Sequence, residues 1–450
     1  MLNDIIQEQA VPRDLGDGLI LRRSKPADAD ALAEFNSRIH SDDGPEHPFE
    51  PIDVWVHDLL NGKHPTFGVD DFTVVEDTRT GKIVSTLNLI SQTWSYAGIE
   101  FGVGRPELVA THPDYRYRGL VRAQFEVIHQ WSAGRAQKVQ AITGIPWFYR
   151  QFGYEMAMDL SGARIGYAAD IPRLKEGEPE PYRVRSATEA DLPFMMRVYE
   201  QAIRRYLVAC VRDEALWRYE VMGRSARNAN GRQFCIVESE AGEPVGFLAH
   251  QAWLWGPTFP INLYELKPGV SWAAVTPSVM RYAQATGQAY AARDQKEPFG
   301  AFGFWLGAEH PVYHAVADRL PRERKPYAWY LRVPDLPGFI RHITPVLEQR
   351  LAGSPVAGHT GETKISFYRT GLRLVFEKGR LMGVESWTPR RGDDGAIAFP
   401  DRTFLQMVFG YRSFDELRHA FADCWADTDE ARELVTALFP KQHSDMWPVA

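Results

Sequence analysis

The sequence predicts two tandem copies of one α/β domain followed by a separate α+β domain. Three observations support this prediction. The 450 residues are too many for one ordinary core, and domains of about 100–200 residues suggest three units. Two pairs of segments recur at nearly the same spacing, which indicates a repeat. The order of predicted strands and helices changes near residue 335, which indicates a third unit.

Each copy of the repeat begins with a strand, a turn and a helix. The segment LRRSKPADADAL starts at Leu21, and VRSATEADLPFM starts at Val184, 163 residues later. Both segments predict a short strand, a polar turn with an N-capping residue, and a helix whose first turn is acidic.

A β-hairpin follows in each copy. FTVVEDTRTGKIVSTLNL starts at Phe72, and FCIVESEAGEPVGFLAHQ starts at Phe234, 162 residues later. Each is an apolar strand, a charged turn with a glycine, and a second strand. Because the two offsets agree within one residue, the segments indicate two copies of one domain. An arginine cluster follows only in the first copy, so we expect the first copy to bind a cofactor and the second to supply packing and substrate walls.

The domain limits follow from two linkers. KEGEPEPY, at residues 175–182, is rich in proline, glycine and charge, and RVPDLPG occupies residues 332–338. We therefore expect domains at 1–176, 182–333 and 336–450. In the third domain, GFIRHITPVLEQRLAG predicts a helix, KISFYRTGLRLVFEKGRLMGVESW predicts strand, turn and strand, and SFDELRHAFADCWA predicts another helix.

Composition excludes several classes of protein. The net charge of −7 argues against general binding to nucleic acid. No apolar run approaches the length of a membrane span, and the N-terminal residues lack the pattern of a secretory signal, so we expect a cytoplasmic protein. The three cysteines, Cys210, Cys235 and Cys424, have no CxxC spacing, and we expect no metal site.

A positively charged turn stands between a strand and a helix in the first copy. In THPDYRYRGLVRAQF, the side chains of Arg116, Arg118 and Arg122 surround Gly119. The glycine lets the backbone approach a ligand, and the first N–H groups of the helix have no partners within the helix. Together with the arginines they form an anion site suited to a pyrophosphate. The alternative is a basic surface loop in which the glycine only turns the chain.

The segments RYRGLV and FYRQFGYE resemble the acetyl-coenzyme A signature of the GNAT acyltransferase superfamily, Arg/Gln-x-x-Gly-x-Gly/Ala. Arg116 and Gly119 match this pattern, while Val121 replaces the expected small residue. The resemblance implies that acetyl-CoA is the cosubstrate. Its pyrophosphate would be bound by Arg116, Tyr117, Arg118, Gly119, Leu120, Val121 and Arg122. Its pantetheine arm and thioester carbonyl would be held by the backbone of a splayed strand at Leu108, Val109, Ala110 and Thr111.

Two GNAT-like copies followed by an α+β domain resembling sterol carrier proteins are similar to the Eis-type (enhanced intracellular survival) acetyltransferases. This resemblance implies acetyl transfer to a primary amine of a small molecule or a lysine. It also implies a homo-oligomer, hexamers being frequent in the family. Two alternatives stay open: a lipid- or sterol-binding carrier in which the GNAT copies are a scaffold, and an acyltransferase for longer acyl chains.

The resemblance also suggests two catalytic groups. Tyr149 matches the tyrosine that serves the family as general acid toward the coenzyme A sulfur, and a tyrosine with its ordinary pKa of about 10 is protonated at neutral pH. The alternative is a core aromatic. The C-terminal carboxylate, here that of Ala450, would help to deprotonate the amine, or the tail could pack only on its own domain.

The acceptor site is less well indicated. Acidic residues between the first helix and the next could attract a cationic amine, or could belong to a solvated loop; these are Asp42, Asp43 and Glu46. Three tryptophans could line an acceptor cavity or belong to the core; these are Trp55, Trp94 and Trp147.

Overall fold

In the computed structural model, which describes residues 11–295 and 297–447, the chain forms mixed α/β units as predicted. The first part extends to residue 170, and the hairpin expected from Phe72 onward is formed by its third and fourth strands. Its strands are β1 (Arg13–Gly16), β2 (Leu19–Arg23), β3 (Phe72–Asp77), β4 (Lys82–Tyr96), β5 (Ile99–Thr111), β6 (Val139–Ile142), β7 (Glu155–Leu160) and β8 (Ala163–Tyr167). Its helices are α1 (Ala29–Ile39), α2 (Glu50–Leu60) and α3 (Leu120–Gly134).

The second part has a similar order of elements, with a short extra strand between its first two helices. Its strands are β9 (Tyr182–Ser186), β10 (Val208–Val211), β11 (Gln233–Ser239), β12 (Pro244–His250), β13 (Thr258–Leu266), β14 (Ala301–Phe304), β15 (Arg322–Arg324) and β16 (Tyr327–Arg332). Its helices are α4 (Leu192–Ala202), α5 (Glu214–Arg218), α6 (Trp272–Asp294) and α7 (Pro311–Ala315).

The third part is α+β. Its helices are α8 (Leu336–His342), α9 (Thr344–Ala352), α10 (Phe404–Val408), α11 (Phe414–Ala420) and α12 (Asp429–Leu438). Its strands are β17 (Gly361–Ser366), β18 (Gly371–Glu377), β19 (Arg380–Trp387), β20 (Ile397–Ala398) and β21 (Trp425–Ala426). The single helix expected at its start is two helices, because Pro345 begins a new helix rather than continuing the old one.

The strands form three sheets. The first has the order β1-β2-β3-β4-β5-β6-β16-β7, with β10 paired to β4; the second has the order β15-β8-β14-β13-β12-β11-β9; the third has the order β19-β18-β17-β20-β21. Each of the first two sheets contains antiparallel hairpins and one parallel pair of strands. The parallel pair is β5 with β6 in the first sheet and β13 with β14 in the second. No helix among the described residues is long and apolar enough to cross a membrane.

Matching ion pairs show that the two copies share one local design. In each copy, an arginine on the strand before the first helix pairs with an aspartate at the start of that helix and with a glutamate on the adjacent strand. The residues are Arg22, Asp28 and Glu76 in the first copy, and Arg185, Asp191 and Glu238 in the second. The repeat seen in the sequence is therefore also present in side-chain contacts.

The two copies exchange a strand. β8 leaves the first sheet and pairs with β14 and β15, whereas β16 leaves the second sheet and lies between β6 and β7. The connections that lead into β8 and β16 contact each other, because a Cβ on Gly162 would lie 2.9 Å from Pro326. The limits expected at residues 176 and 333 therefore do not separate the two sheets.

The first sheet shares a core with the third part of the chain. Buried side chains of β4, β5, β7 and β16 pack with those of α8 to α12 in one apolar cluster. At its centre, the buried hydroxyl of Tyr96 donates to the carbonyl oxygen of Val408 at 2.7 Å. One face of the first sheet is thus covered by the third part, and its opposite face packs on α3.

Candidate active site

A wedge opens between β5 and β6. The two strands are paired only at Val103 with Val139 and at Gly104 with Gln140, and beyond these residues they diverge. A cavity of about 920 Å³ lies at this opening, within the size range of ligand-binding clefts. It is lined by Tyr149 and by every residue that the sequence suggested for cofactor binding, namely Leu108, Val109, Ala110, Thr111, Arg116, Tyr117, Arg118, Gly119, Leu120, Val121 and Arg122.

The turn at one end of the cavity is fixed by a tyrosine. The hydroxyl of Tyr115 donates to Asp77 at 2.7 Å, and Arg79 pairs with the same carboxylate. Arg79 and then Tyr115 hold the pKa of Asp77 well below its usual range, so the carboxylate stays ionised. The segment between β5 and α3 is therefore held against the end of β3.

Gly119 is the N-cap of α3 and has a left-handed backbone, with φ +75°. A Cβ at this position would meet no atom within 4 Å. The glycine is therefore needed for its backbone angle and not for space. No side chain of the N-cap residue accepts a hydrogen bond from the first N–H groups of the helix. These N–H groups lie at the cavity and are available to a ligand.

The three arginines of this turn are exposed. Arg122 reaches Gln151 at 3.1 Å, and Arg118 lies over the ring of Tyr115 at 5.1 Å. Among the described residues, the ion pairs include none of Arg116, Arg118 and Arg122. Their guanidinium groups remain available for a phosphate, with which they form forked hydrogen bonds.

Tyr149 lies in a 3-10 turn after β6 and is 3% exposed. Its hydroxyl oxygen would be 3.7 Å from a Cβ on Gly144, and no described protein group forms a hydrogen bond with it. Burial, and secondly Tyr330, raise the pKa of Tyr149 above its ordinary value. The hydroxyl therefore keeps its proton at neutral pH and can donate it into the cavity.

A residue from the exchanged strand positions the turn that carries Tyr149. The Tyr330 hydroxyl on β16 accepts a hydrogen bond from the N–H of Trp147, and the rings of Tyr330 and Tyr149 are 5.4 Å apart. Trp147 has a left-handed backbone, with φ +66°, which is rare for an aromatic residue. The exchanged strand thus holds a strained turn beside the cavity.

The corresponding cleft of the second copy is filled by its own side chains. There the parallel pair extends over four residues, 258–261 with 301–304. The hydroxyl of Ser271 caps α6, and the ring of Trp272 packs on Tyr264 and His310 at 5.0 Å each. The tyrosine equivalent to Tyr149 is Tyr313, whose hydroxyl bonds to backbone groups of residues 304, 306 and 307. The second copy therefore has neither an open helix N-terminus nor a free tyrosine hydroxyl.

The other residues that the sequence suggested for the acceptor site differ in burial and in their distance from the cavity. Trp94 is fully buried in the core shared with the third part, and Trp55 lies on the buried face of α2, whereas Trp147 is 68% exposed beside the cavity. The acidic residues Asp42, Asp43 and Glu46 are exposed and do not line the cavity. Val121, which departs from the family pattern, is half-buried and still lines the cavity.

Ala450 lies outside the described residues. The chain before it crosses from the third part to β10, where the N–H of Leu207 donates to the carbonyl of His443 at 2.9 Å. Further along, Trp447 packs beneath the guanidinium of Arg232, whose carbon is 4.4 Å from the ring centroid. Because β10 pairs with β4, this tail is carried to the edge of the first sheet.

Sequence reasoning missed several cavity residues. His40, at the end of α1, and Glu107, on β5, line the cavity at a distance along the chain from the arginine turn. Burial lowers the pKa of His40, so its imidazole is neutral near pH 7. Glu107 pairs with the buried Arg105. No motif in the sequence marks either of these residues.

Comparison with known proteins agrees with this geometry. Residues 23–157 match the family model described as an acetyltransferase (GNAT) domain, so this part of the chain is a GNAT domain. No curated protein matches the chain. Membership of this domain family supports acyltransferase activity.

Over nearly the whole chain, the fold is similar to that of three solved structures. Eis1 from Mycobacterium abscessus is 13% identical, with a TM-score of 0.60 over 96% of this chain and 99% of that one. A probable N-acyltransferase from Enterococcus faecalis V583 is 14% identical, with a TM-score of 0.62 over 95% and 97%. A GCN5-related N-acetyltransferase from Kribbella flavida is 17% identical, with a TM-score of 0.59 over 95% and 97%. The chain thus has an Eis-like fold.

Proposed function

We propose that the protein transfers an acetyl group from acetyl-CoA to a primary amine of a small molecule or of a lysine. The observation that carries the proposal is the cavity of the first copy, which joins an open, arginine-rich helix N-terminus to a buried tyrosine with a free hydroxyl. The second copy has equivalents of both elements and closes them. Such a difference between two copies of one fold is expected when only one of them binds the cosubstrate.

The cavity suits the cosubstrate at both ends. The N–H groups after Gly119 and the guanidinium groups of Arg116 and Arg118 match a pyrophosphate in charge and hydrogen bonding. From there the wall of β5, from Thr111 back to Leu108, leads toward the closed end of the wedge. An extended pantetheine arm carries amide groups that can pair with the free edge of a strand.

The proposed chemistry is direct transfer. The amine nitrogen attacks the thioester carbonyl, giving a tetrahedral intermediate; the C–S bond then breaks, and Tyr149 gives its proton to the departing sulfur. The amine proton must pass to a base. We propose the C-terminal carboxylate of Ala450 for this role, because the tail up to Trp447 runs from the third part toward the first sheet. An α-carboxyl has an ordinary pKa of about 3.3–3.7, so a water relay would share the work.

The family resemblance also bears on localisation, assembly and the third domain. We propose a cytoplasmic homo-oligomer, with a third domain similar to sterol carrier proteins. The alternative of an apolar-ligand carrier is weakened by the cavity at the third sheet, which is lined by Glu362, Asp393, Asp394 and Asp427 around Lys364. The alternative of a longer acyl donor stays open.

Two measurements test the proposal. Isothermal titration of coenzyme A should give a single binding event per chain, as expected if only the first cleft is open. Thiol release from acetyl-CoA across a panel of primary amines should then identify the acceptor, and butyryl- and octanoyl-CoA should identify the preferred donor. Absence of coenzyme A binding to the folded protein would contradict the transferase proposal.

A further inference from the structure

The cofactor strand β5 contains a bulge at Leu108. Leu87 on β4 faces two residues of β5, because the pairing passes from Thr86 with Ala110 to Asn88 with Glu107. Leu108 has φ +52° and is buried. A branched residue in this left-handed region costs on the order of 1 kcal/mol and persists only where its surroundings impose it.

Two hydroxyl groups on β4 impose this conformation. The Thr86 hydroxyl lies 3.1 Å from the carbonyl oxygen of Leu108 and 3.1 Å from the side-chain oxygen of Asn36 on α1. The Ser85 hydroxyl donates to the carbonyl oxygen of Ala110 at 2.9 Å. All three of these polar side chains are at most 2% exposed. At such depth the loss of one partner leaves a polar group unsatisfied, so the arrangement is strongly held.

The orientation of these carbonyl groups determines which N–H groups face the cavity. In a trans peptide, the C=O and the following N–H point in opposite directions. The carbonyls of Leu108 and Ala110 point toward β4, so the N–H groups of Val109 and Thr111 point away from it. On that side β6 has already diverged, since its pairing with β5 ends at Gly104. Two main-chain donors therefore face the wedge.

The second copy provides an internal comparison. In the first copy, Thr86 is paired with Val74 and Ser85 with Val75. At the equivalent positions of the second copy, Phe247 is paired with Ile236 and Gly246 with Val237. Phe247 therefore replaces Thr86, and Gly246 replaces Ser85. Both hydroxyl groups are thus absent from the equivalent positions. Its bulge is displaced to Asn262, and none of the residues of β13 has a positive φ. The hydroxyl pair and the left-handed bulge occur together in the copy with the open cavity and are absent together from the other.

We propose that Thr86, supported by Asn36, is a positioning residue that aims the N–H of Val109 at the thioester oxygen. This inference rests on the proposed function. Thr86 does not touch the cosubstrate; it turns the peptide that does. Asn36 belongs to α1, whose C-cap residue His40 lines the cavity. The Thr86 hydroxyl, shared between Asn36 and Leu108, therefore links the helix on the acceptor side to the strand on the donor side.

The test compares Thr86→Val, which keeps the shape but removes the hydroxyl, with Thr86→Ser, which keeps the hydroxyl. The matched control is Thr276→Val in the second copy, where a fully buried hydroxyl lies 3.2 Å from that of Tyr264. We expect Thr86→Val to lower kcat for acetyl transfer by about tenfold to a hundredfold, the effect of a small misplacement. The Kd for coenzyme A should change little, because its pyrophosphate site at Gly119 is untouched. Thr86→Ser and Thr276→Val should keep kcat close to that of the unmodified protein.

A crystal structure of the Thr86→Val variant supplies a readout besides activity. We expect φ of Leu108 to leave the left-handed region and the carbonyl to turn toward the wedge. An unchanged Leu108, an unchanged kcat, or equal losses in the valine and serine variants would overturn the inference. If Thr86→Val does not fold, Ser85→Ala tests the bond to Ala110 by the same measurements. If the unmodified protein binds no coenzyme A, the proposed function fails, and the conformation of Leu108 in the variant still decides whether Thr86 holds the bulge.

Discussion

Tyr149 and Tyr313 occupy equivalent positions in the two copies, but their hydroxyl groups have different surroundings. Tyr313 is bonded to three backbone groups of its own turn, whereas Tyr149 presents its hydroxyl to a cavity beside Gly144. The sequence alone indicated Tyr149 only through its resemblance to a family. The sequence could not show that the two hydroxyl groups have different surroundings, because these surroundings depend on where β6 and β14 end.

Replacing Tyr149 by phenylalanine should separate catalysis from packing. We expect kcat to fall about a hundredfold, since the general acid is lost, and the Kd for coenzyme A to stay nearly constant. The matched control Tyr313→Phe should keep kcat but lower the free energy of unfolding by about 1–2 kcal/mol, because buried backbone groups lose a partner. Thiol-release kinetics and urea denaturation of both variants provide the measurements. Equal activity in Tyr149→Phe and the unmodified protein would remove Tyr149 from the mechanism.

In the proposed mechanism, the pKa of Tyr149 sets the alkaline limit of the reaction. Because burial raises this pKa above its ordinary value, the acid form persists to higher pH than in an exposed tyrosine. We therefore expect kcat to show no decline from loss of this proton below about pH 10. The measurement is kcat against pH at saturating amine. A decline near pH 9 that is absent from Tyr149→Phe would contradict the prediction.

At the scale of elements, the turn before α3 combines a backbone requirement with charge. The sequence predicted this turn correctly as the junction of strand and helix, because glycine spacing and apolar periodicity are local signals. The open wedge was expected only from family resemblance. The bulge at Leu108 was not predicted at all, since it depends on hydroxyl groups more than twenty residues earlier on β4.

Gly119→Ala tests the backbone of this turn. The substitution meets no atom, so its cost is the left-handed φ alone, on the order of 1 kcal/mol. We expect coenzyme A binding to weaken about fivefold to tenfold as the helix N-terminus shifts. Gly177, with φ +76° and equally open space in the linker, is the matched control. Gly177→Ala should carry similar strain without loss of affinity in calorimetry; equal losses in both would show that the turn has no special role.

At the scale of the whole molecule, the sequence predicted mixed α/β units correctly but not the exchange of strands between them. Local patterns identify strands, yet β8 and β16 give no local sign of the sheet they join. The exchange depends on short connections, residues 161–162 and 325–326, that carry each strand across to the other sheet. Long-range pairing of this kind leaves no periodicity in one sequence.

The exchanged strands and shared core predict one cooperative unfolding transition. The first sheet contains β16 from the second part and is covered by the third part, so none of the parts keeps its buried surface alone. We expect calorimetry to give a single transition with equal calorimetric and van't Hoff enthalpies. Truncation after residue 176 should give aggregated protein, because β6 and β7 would expose unpaired edges. Two well-separated transitions in the full chain would contradict this picture.

The tail gives the stability a dependence on pH. Burial raises the pKa of Asp445 to about 6, against opposing effects of Arg205 and Arg212. A raised pKa means that its stabilising contribution is complete below pH 3.8 and is lost as pH rises through about 6. Asp445→Asn should therefore be more stable than the unmodified protein by about 3 kcal/mol at pH 8 and nearly equal to it near pH 4. Urea denaturation at the two pH values measures the difference; equal stability at pH 8 would contradict the assignment.

The strand exchange also bears on how the protein is made. Domains at the N-terminus usually fold while the ribosome is still translating, but here the layer beneath Tyr149 lacks β16 until Arg332 has been added. During translation, the position of β16 between β6 and β7 therefore stays empty until the whole second copy has been synthesised. Formation of the turn that carries Tyr149 is therefore delayed until both copies have been synthesised, and demand for chaperones should be greatest in that interval.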